Sequence, residues 1–285
     1  MVKRGFGPAL RYNRGVIKRL FIVIILLSAT WWLLEVQPEK PSNDRNWSLD
    51  QAVPAEAVFS GDEVTIKNVR NFTYRSTTDY DPQYYDLTLN LNDLETVDYI
   101  VEPFGSIGAA HTFLSFGFSN GQQIAVSVEI RKEQGETFSP WKGMVRRYEL
   151  MYVVADERDV VNLRANHRQH DVYLYPTTAT KEGARRLFVD MLERANTLLR
   201  EPEFYHTITN NCTVNIARHI NKLISPPIAF DYRLILPAHS DALAMEYGFI
   251  TPGMTLEEAR EKYRINDLAR EAVEKPYFSR IIRGQ

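Results

Sequence analysis

The sequence predicts an α+β domain carried behind an amino-terminal transmembrane helix. Three observations predict it: an uncharged apolar run near the start, a series of short alternating segments in the body, and amphipathic helical stripes that follow the strand clusters instead of alternating with them. The 285 residues leave room for one large or two small domains. A hydrophobic fraction of 44% excludes wholesale disorder.

Residues 1–19 carry Lys3, Arg4, Arg11, Arg14, Lys18 and Arg19 and no acid, a charge of +6. The run Leu20–Leu34 (LFIVIILLSATWWLL) has no charge, with Lys18 and Arg19 placed to snorkel at one end and Trp31 and Trp32 suited to the opposite interface. No small-residue cleavage pattern follows it. The expectation is a signal-anchor over 20–36, with 1–19 cytoplasmic by the positive-inside rule and the rest across the membrane. Residues 37–55 are polar with three prolines and read as a linker.

In the body, strand patterns run over Val64–Arg70, Val97–Phe104, His111–Phe118, Ile124–Arg131, Glu149–Val154 and Asp171–Tyr175. Helical patterns cover Asp156–Arg164 and Lys181–Leu199, the second with a stripe of Ala184, Leu187, Phe188, Met191, Leu192 and Ala195. Another begins near Asn211 and presents Val214, Ala217, Ile220 and Leu223. The functional domain is thus expected over 56–250, with 251–285 as a charged helical appendage at the periphery.

Composition narrows the chemistry. A single cysteine excludes an internal disulfide and a thiolate zinc cage. Beyond residue 19 the chain carries 28 basic and 36 acidic residues, so nothing points to a nucleic-acid partner. There is no phosphate-binding glycine loop, H-E-x-x-H, EF-hand loop or G-x-S-x-G elbow. No cofactor and no metal are expected; His167 and His170, beside Asp171, read as a solvated turn.

Asn211 is a good N-cap, and it places Cys212 in the first turn of an amphipathic helix. Free N–H groups and the helix dipole favour a thiolate there and could hold an oxyanion, whereas a free cysteine elsewhere is a small buried hydrophobe. His111 is the candidate base. Matching apolar faces pairs Phe116 with Ile124 and Leu114 with Val126, leaving Ser119-Asn120-Gly121 as a three-residue loop with a left-handed glycine. That register sets His111 opposite Glu129, which can orient an imidazole or simply face solvent.

The motifs AHTFLSFGF, VSVEIR, YELMYVVADERD and NNCTVNIARHI, with FTYRSTTDYD nearer the start, resemble the Lnb N-terminal periplasmic domain family, named for a bacterial lipoprotein N-acyltransferase. The likeness spans roughly Asp62 to Phe249. More distantly, a strand histidine followed by Asn-Cys opening a helix is similar to circularly permuted papain-like enzymes of the NlpC and lecithin–retinol acyltransferase type. The resemblance implies a permuted papain-like domain with Cys212 as nucleophile and His111 as base. Glu129 lies on the strand where such enzymes place their third polar residue, and Asn211 positions the thiol or its oxyanion. It implies a periplasmic domain at the bacterial inner membrane, with the bilayer as partner and phospholipid and lipoprotein as substrates. A cell-wall amidase or peptide hydrolase and a non-catalytic envelope-binding module are the alternatives.

Overall fold

The computed structural model describes residues 14–35, 40–105 and 108–285. The chain divides into two units, 1–40 and 41–285. In the first, α1 (Arg14–Glu35) is a single helix whose apolar side chains, Leu20 and Phe21 among them, are exposed. Residues 1–13 of the expected cytoplasmic tail, residue 36 of the expected anchor, 37–39 of the expected linker and the side chains of 32–35 lie outside the described residues. Among the described residues no helix is long and apolar enough to cross a membrane. The described part of α1 carries Lys18 and Arg19 ahead of its apolar run, and a span needs about 20 apolar residues.

The second unit is a mixed α+β domain built on one large sheet. Its strands are β1 (Glu56–Ser60), β2 (Glu63–Arg70), β5 (Tyr84–Asn90), β6 (Leu94–Pro103), β7 (Ala110–Phe118), β8 (Gln123–Arg131), β9 (Glu149–Asp156) and β10 (Tyr173–Pro176). The short hairpin of β3 (Thr73–Tyr74) and β4 (Tyr80–Asp81) stands apart. The sheet order is β1-β2-β9-β8-β7-β6-β10, with β5 also pairing β2. All pairings are antiparallel except β2 with β9.

Both faces of the sheet are covered, so its central strands are buried along nearly their whole length instead of alternating between core and water. Leu114, Phe116, Val126 and Val154 face one core with the stripe of α4 (Lys181–Arg200) and with Cys212 and Ile216 of α5 (Cys212–Asn221). Phe113, Ala125, Val153 and Ala155 face a second core. There they meet Val160 and Val161 of α3 (Glu157–Asn162), Ala269 and Ala272 of α8 (Asn266–Ala272), and Phe278 of α9 (Phe278–Ile281). The remaining helices are α2 (Pro140–Met144), α6 (Ser240–Glu246) and α7 (Leu256–Tyr263).

The hairpin of β7 and β8 has the register that the facing apolar residues dictate, Phe116 opposite Ile124 and Leu114 opposite Val126. Phe118 N–H donates to Gln122 O, closing a three-residue loop in which Gly121 sits at φ +84°. All six stripe residues of α4 are buried. The helix is capped by Thr180, whose Oγ1 accepts from Gly183 N–H at 3.1 Å.

Two expectations need correction. Residues 41–55 do not form a free tether: Asn43 Nδ2 donates to Leu198 O at 2.9 Å, Ser48 N–H donates to Lys132 O at 2.9 Å, and Trp47 lies under the Arg131 guanidinium at 4.2 Å. The carboxy-terminal helices are not peripheral either. Their small apolar stripe closes the second core, and Arg283 reaches Asp98 and Glu157, both buried, at 2.6 Å. Charge on the outer side of these helices hid the Ala and Ile stripe within. Ile282 is 1% exposed, so Ile282→Ala is expected to destabilise the domain by about 2–5 kcal/mol. A truly peripheral residue would stay within about 0.5 kcal/mol in the same urea titration.

Candidate functional site

Strand register sets out the site. Glu102 on β6, His111 on β7 and Glu129 on β8 form a row across three adjacent strands: Glu102 pairs with His111, and the β7–β8 ladder carries His111 toward Glu129. His111 Nε2 lies 2.7 Å from Ser127 Oγ and 3.2 Å from Glu129 Oε1, and Ser127 Oγ donates to Glu129 Oε1 at 2.8 Å. With Nε2 turned to these acceptors, Nδ1 is the nitrogen left for the thiol. The row therefore fixes the tautomer as well as the place of the imidazole.

Cys212 enters from α5. Asn211 caps that helix, its Oδ1 accepting from Val214 N–H at 2.8 Å. Its Nδ2 donates to Thr207 O at 2.9 Å and Leu234 O at 3.0 Å, so the side-chain amide is fully committed to holding the turn. Asn211 thus holds the turn that carries Cys212, and its side-chain amide, expected as an oxyanion donor, has both hydrogens on backbone carbonyls. The Cys212 side chain is 5% exposed, its Sγ lies 3.8 Å from Thr213 Oγ1, and it shares a cavity wall with His111. Thr112 in turn lies 2.9 Å from Thr213, oxygen to oxygen.

The electrostatics follow from this packing. Burial opposes charge on His111, but the Glu129 carboxylate and the hydrogen bonds to Cys212 and Glu129 outweigh it and raise the imidazole to about 9. Burial also pushes the Cys212 thiol up, yet the bond to His111, its charge and the bonds from Thr112 bring it down to about 7. Glu129 is held well below the carboxylate range: burial resists, and His111 and Arg164 prevail. Near neutral pH these directions favour a thiolate–imidazolium pair.

Sequence reasoning missed the residues that complete the site. After α3 the helix widens into a π turn over Leu163–His167, closed by Arg168 N–H on Leu163 O at 2.9 Å. Arg164, 1% exposed, stands on this turn over the Phe113 ring and bridges the two carboxylates at 2.8 Å each, Nε to Glu102 and Nη2 to Glu129. His170 does not sit in a solvated turn: its Nδ1 is 2.8 Å from the buried Glu102, and its ring stacks on Phe104. Nothing local in the sequence marks Glu102 or Arg164 as buried. His206, by contrast, lines a separate shallow pocket.

Two cavities flank the first turn of α5. The more polar, of about 280 Å³, is lined by Cys212, His111, Glu129, Arg164, Arg168 and His170, with Lys132 and Tyr205 also on its wall. An apolar one of about 330 Å³ takes in Thr213, Ile216, Ala217, Ile220 and Leu223. The stripe predicted for α5 thus lines a cavity through three of its four members, while Ile216 packs in the first core.

Neither a curated protein nor a solved structure matches this sequence or fold significantly. The model of the Lnb N-terminal periplasmic domain matches residues 80–240, a stretch that contains the Glu102–His111–Glu129 row, Arg164 and Cys212. With more than half of its length matched, the chain belongs to the Lnb N-terminal periplasmic domain family.

Proposed function

We propose that the protein is a membrane-anchored periplasmic thiol enzyme of the acyl-transfer class, arranged as a permuted papain-like site. The observation that carries this reading is that Cys212 and His111 line one cavity, with the imidazole Nε2 held by Ser127 and Glu129. The Cys212 thiolate attacks the carbonyl carbon of an acyl ester or amide. Backbone N–H groups at the start of α5 stabilise the oxyanion. The bond to the leaving group breaks, the leaving group takes the proton from His111, and a thioester remains on Cys212. Attack by an amine or water then breaks the C–S bond and returns the thiolate.

A lipid or lipoprotein substrate is supported by the apolar cavity beside Thr213 and by the apolar run Leu20–Leu34, flanked by Lys18 and Arg19 as an anchor at the inner membrane would be. A cell-wall or peptide amidase is the second reading, favoured by the polar lining around Cys212 itself. Intact mass spectrometry of the full chain with bacterial phospholipid vesicles, beside Cys212→Ala, separates them. A hydroxylamine-labile acyl adduct on the unmodified chain alone is expected. A folded protein that takes no adduct under these conditions removes the lipid reading and leaves the amidase.

A further inference from the structure

His170 lines the same cavity as Cys212, with Glu102 buried behind it, yet thioester formation and breakdown, as driven by Cys212 and His111, give them nothing to do. Glu102 is 0% exposed, and although burial opposes its charge, Arg164, His170 and Arg168 hold its carboxyl down at about 2. An ionised carboxylate can only accept, so the 2.8 Å contact places a proton on His170 Nδ1, and in the neutral imidazole Nε2 carries the lone pair. Among the described residues Nε2 has no hydrogen-bond partner. The ring is fixed from several sides: stacked on Phe104, with its backbone N–H on Arg164 O at 3.1 Å and its carbonyl accepting from Asn266 Nδ2 at 2.7 Å. An imidazole that is oriented by a buried carboxylate, one-third exposed and turned to a cavity has the features of an acid–base group.

The two histidines differ in what they have left to offer. His111 is 13% exposed, and its Nε2 is taken by Ser127 and Glu129. His170 lines the cavity, and its Nε2 has no partner among the described residues. Arg164 joins their two carboxylates, so both imidazoles hang from one buried ionic frame.

We propose that His170, held by Glu102, is the general base for the second half-reaction, taking the proton from the acceptor amine or water as it attacks the thioester. The proposal rests on the Cys212 thioester reading. As the new C–N or C–O bond forms, the acceptor proton passes to Nε2, the C–S bond breaks, and the Cys212 thiolate leaves; neutral His111, which gave its proton to the first leaving group, takes one back from solvent to restore the pair. His170 then returns its proton to solvent.

The test is burst kinetics of the full chain with a p-nitrophenyl acyl ester, comparing the unmodified chain, His170→Gln and Cys212→Ala. In His170→Gln the first equivalent of nitrophenol should appear at an unchanged rate, while steady-state turnover falls by about 10²-fold or more. Hydroxylamine, which attacks without base assistance, should restore turnover in that variant, and added imidazole should do the same in His170→Gly. A burst and a steady state that fall together, or a steady state that does not change, overturn the proposal. A burst absent from the unmodified chain, with Cys212→Ala no different from it, overturns the thioester reading and this proposal with it.

Discussion

Iodoacetamide should modify Cys212 at a rate that climbs through pH about 7 and levels off by pH 8, because the thiolate, not the thiol, reacts. In His111→Gln that midpoint should move up to 9 or beyond. The ordinary thiol value here is 9.0, and once the imidazole is gone, burial acts in the same upward direction. At pH 7.5 the alkylation rate should therefore drop by about 20-fold or more, the ratio of thiolate fractions for midpoints near 7 and near 9. The pairing also has an upper limit: His111 loses its proton above about 9, so the ion pair dominates between about 7 and 9. An unchanged midpoint in His111→Gln would show that helix and burial alone set the thiol, and would remove His111 as its base.

The largest stability loss is expected at Arg164. Its guanidinium, fully enclosed, neutralises Glu102 and Glu129 together, and removing it leaves the buried Glu102 and the part-buried Glu129 each short of a counterion. Arg164→Met keeps most of the volume but should cost about 3–5 kcal/mol in a urea titration. The acid side carries the same signature. Glu102 is depressed to about 2 from 4.5, so its ionic contribution is complete above about 4.5 and is lost as pH falls through about 2. In Arg164→Met burial is opposed only by His170, Arg168 and His111, so that carboxyl should rise and acid unfolding should begin at a higher pH. A loss under about 1 kcal/mol, with an unmoved acid transition, would mean that the bridge is incidental.

How much of this could be read from the chain depends on how local each signal was. The hairpin register was legible because two apolar faces and a left-handed glycine agree on one alignment, and that register places His111 beside Glu129. Cys212 was legible because its N-cap and its helix are contiguous. Arg164 was not, since its burial depends on a π turn that no pattern of apolar residues announces. Glu102 gave no sign of its burial, because strand alternation cannot tell a solvated face from one covered by a distant helix. Strands β1 and β5 were missed because their burial is partial and their alternation weak. The carboxy-terminal helices were misplaced because alanines, small and common, do not read as a core until a sheet lies against them.

The π turn also sets a rule of length for this part of the chain. A regular α-helix turns about 100° with each residue, and a π turn is one residue inserted into such a helix. Removing a single residue from Leu163–His167 would restore the ordinary helical repeat and rotate the downstream segment relative to α3 by that angle. Arg168 and His170 would then swing away from Glu102, although every side chain involved would still be present in the sequence. In this segment the number of residues is as much a part of the site as their identity.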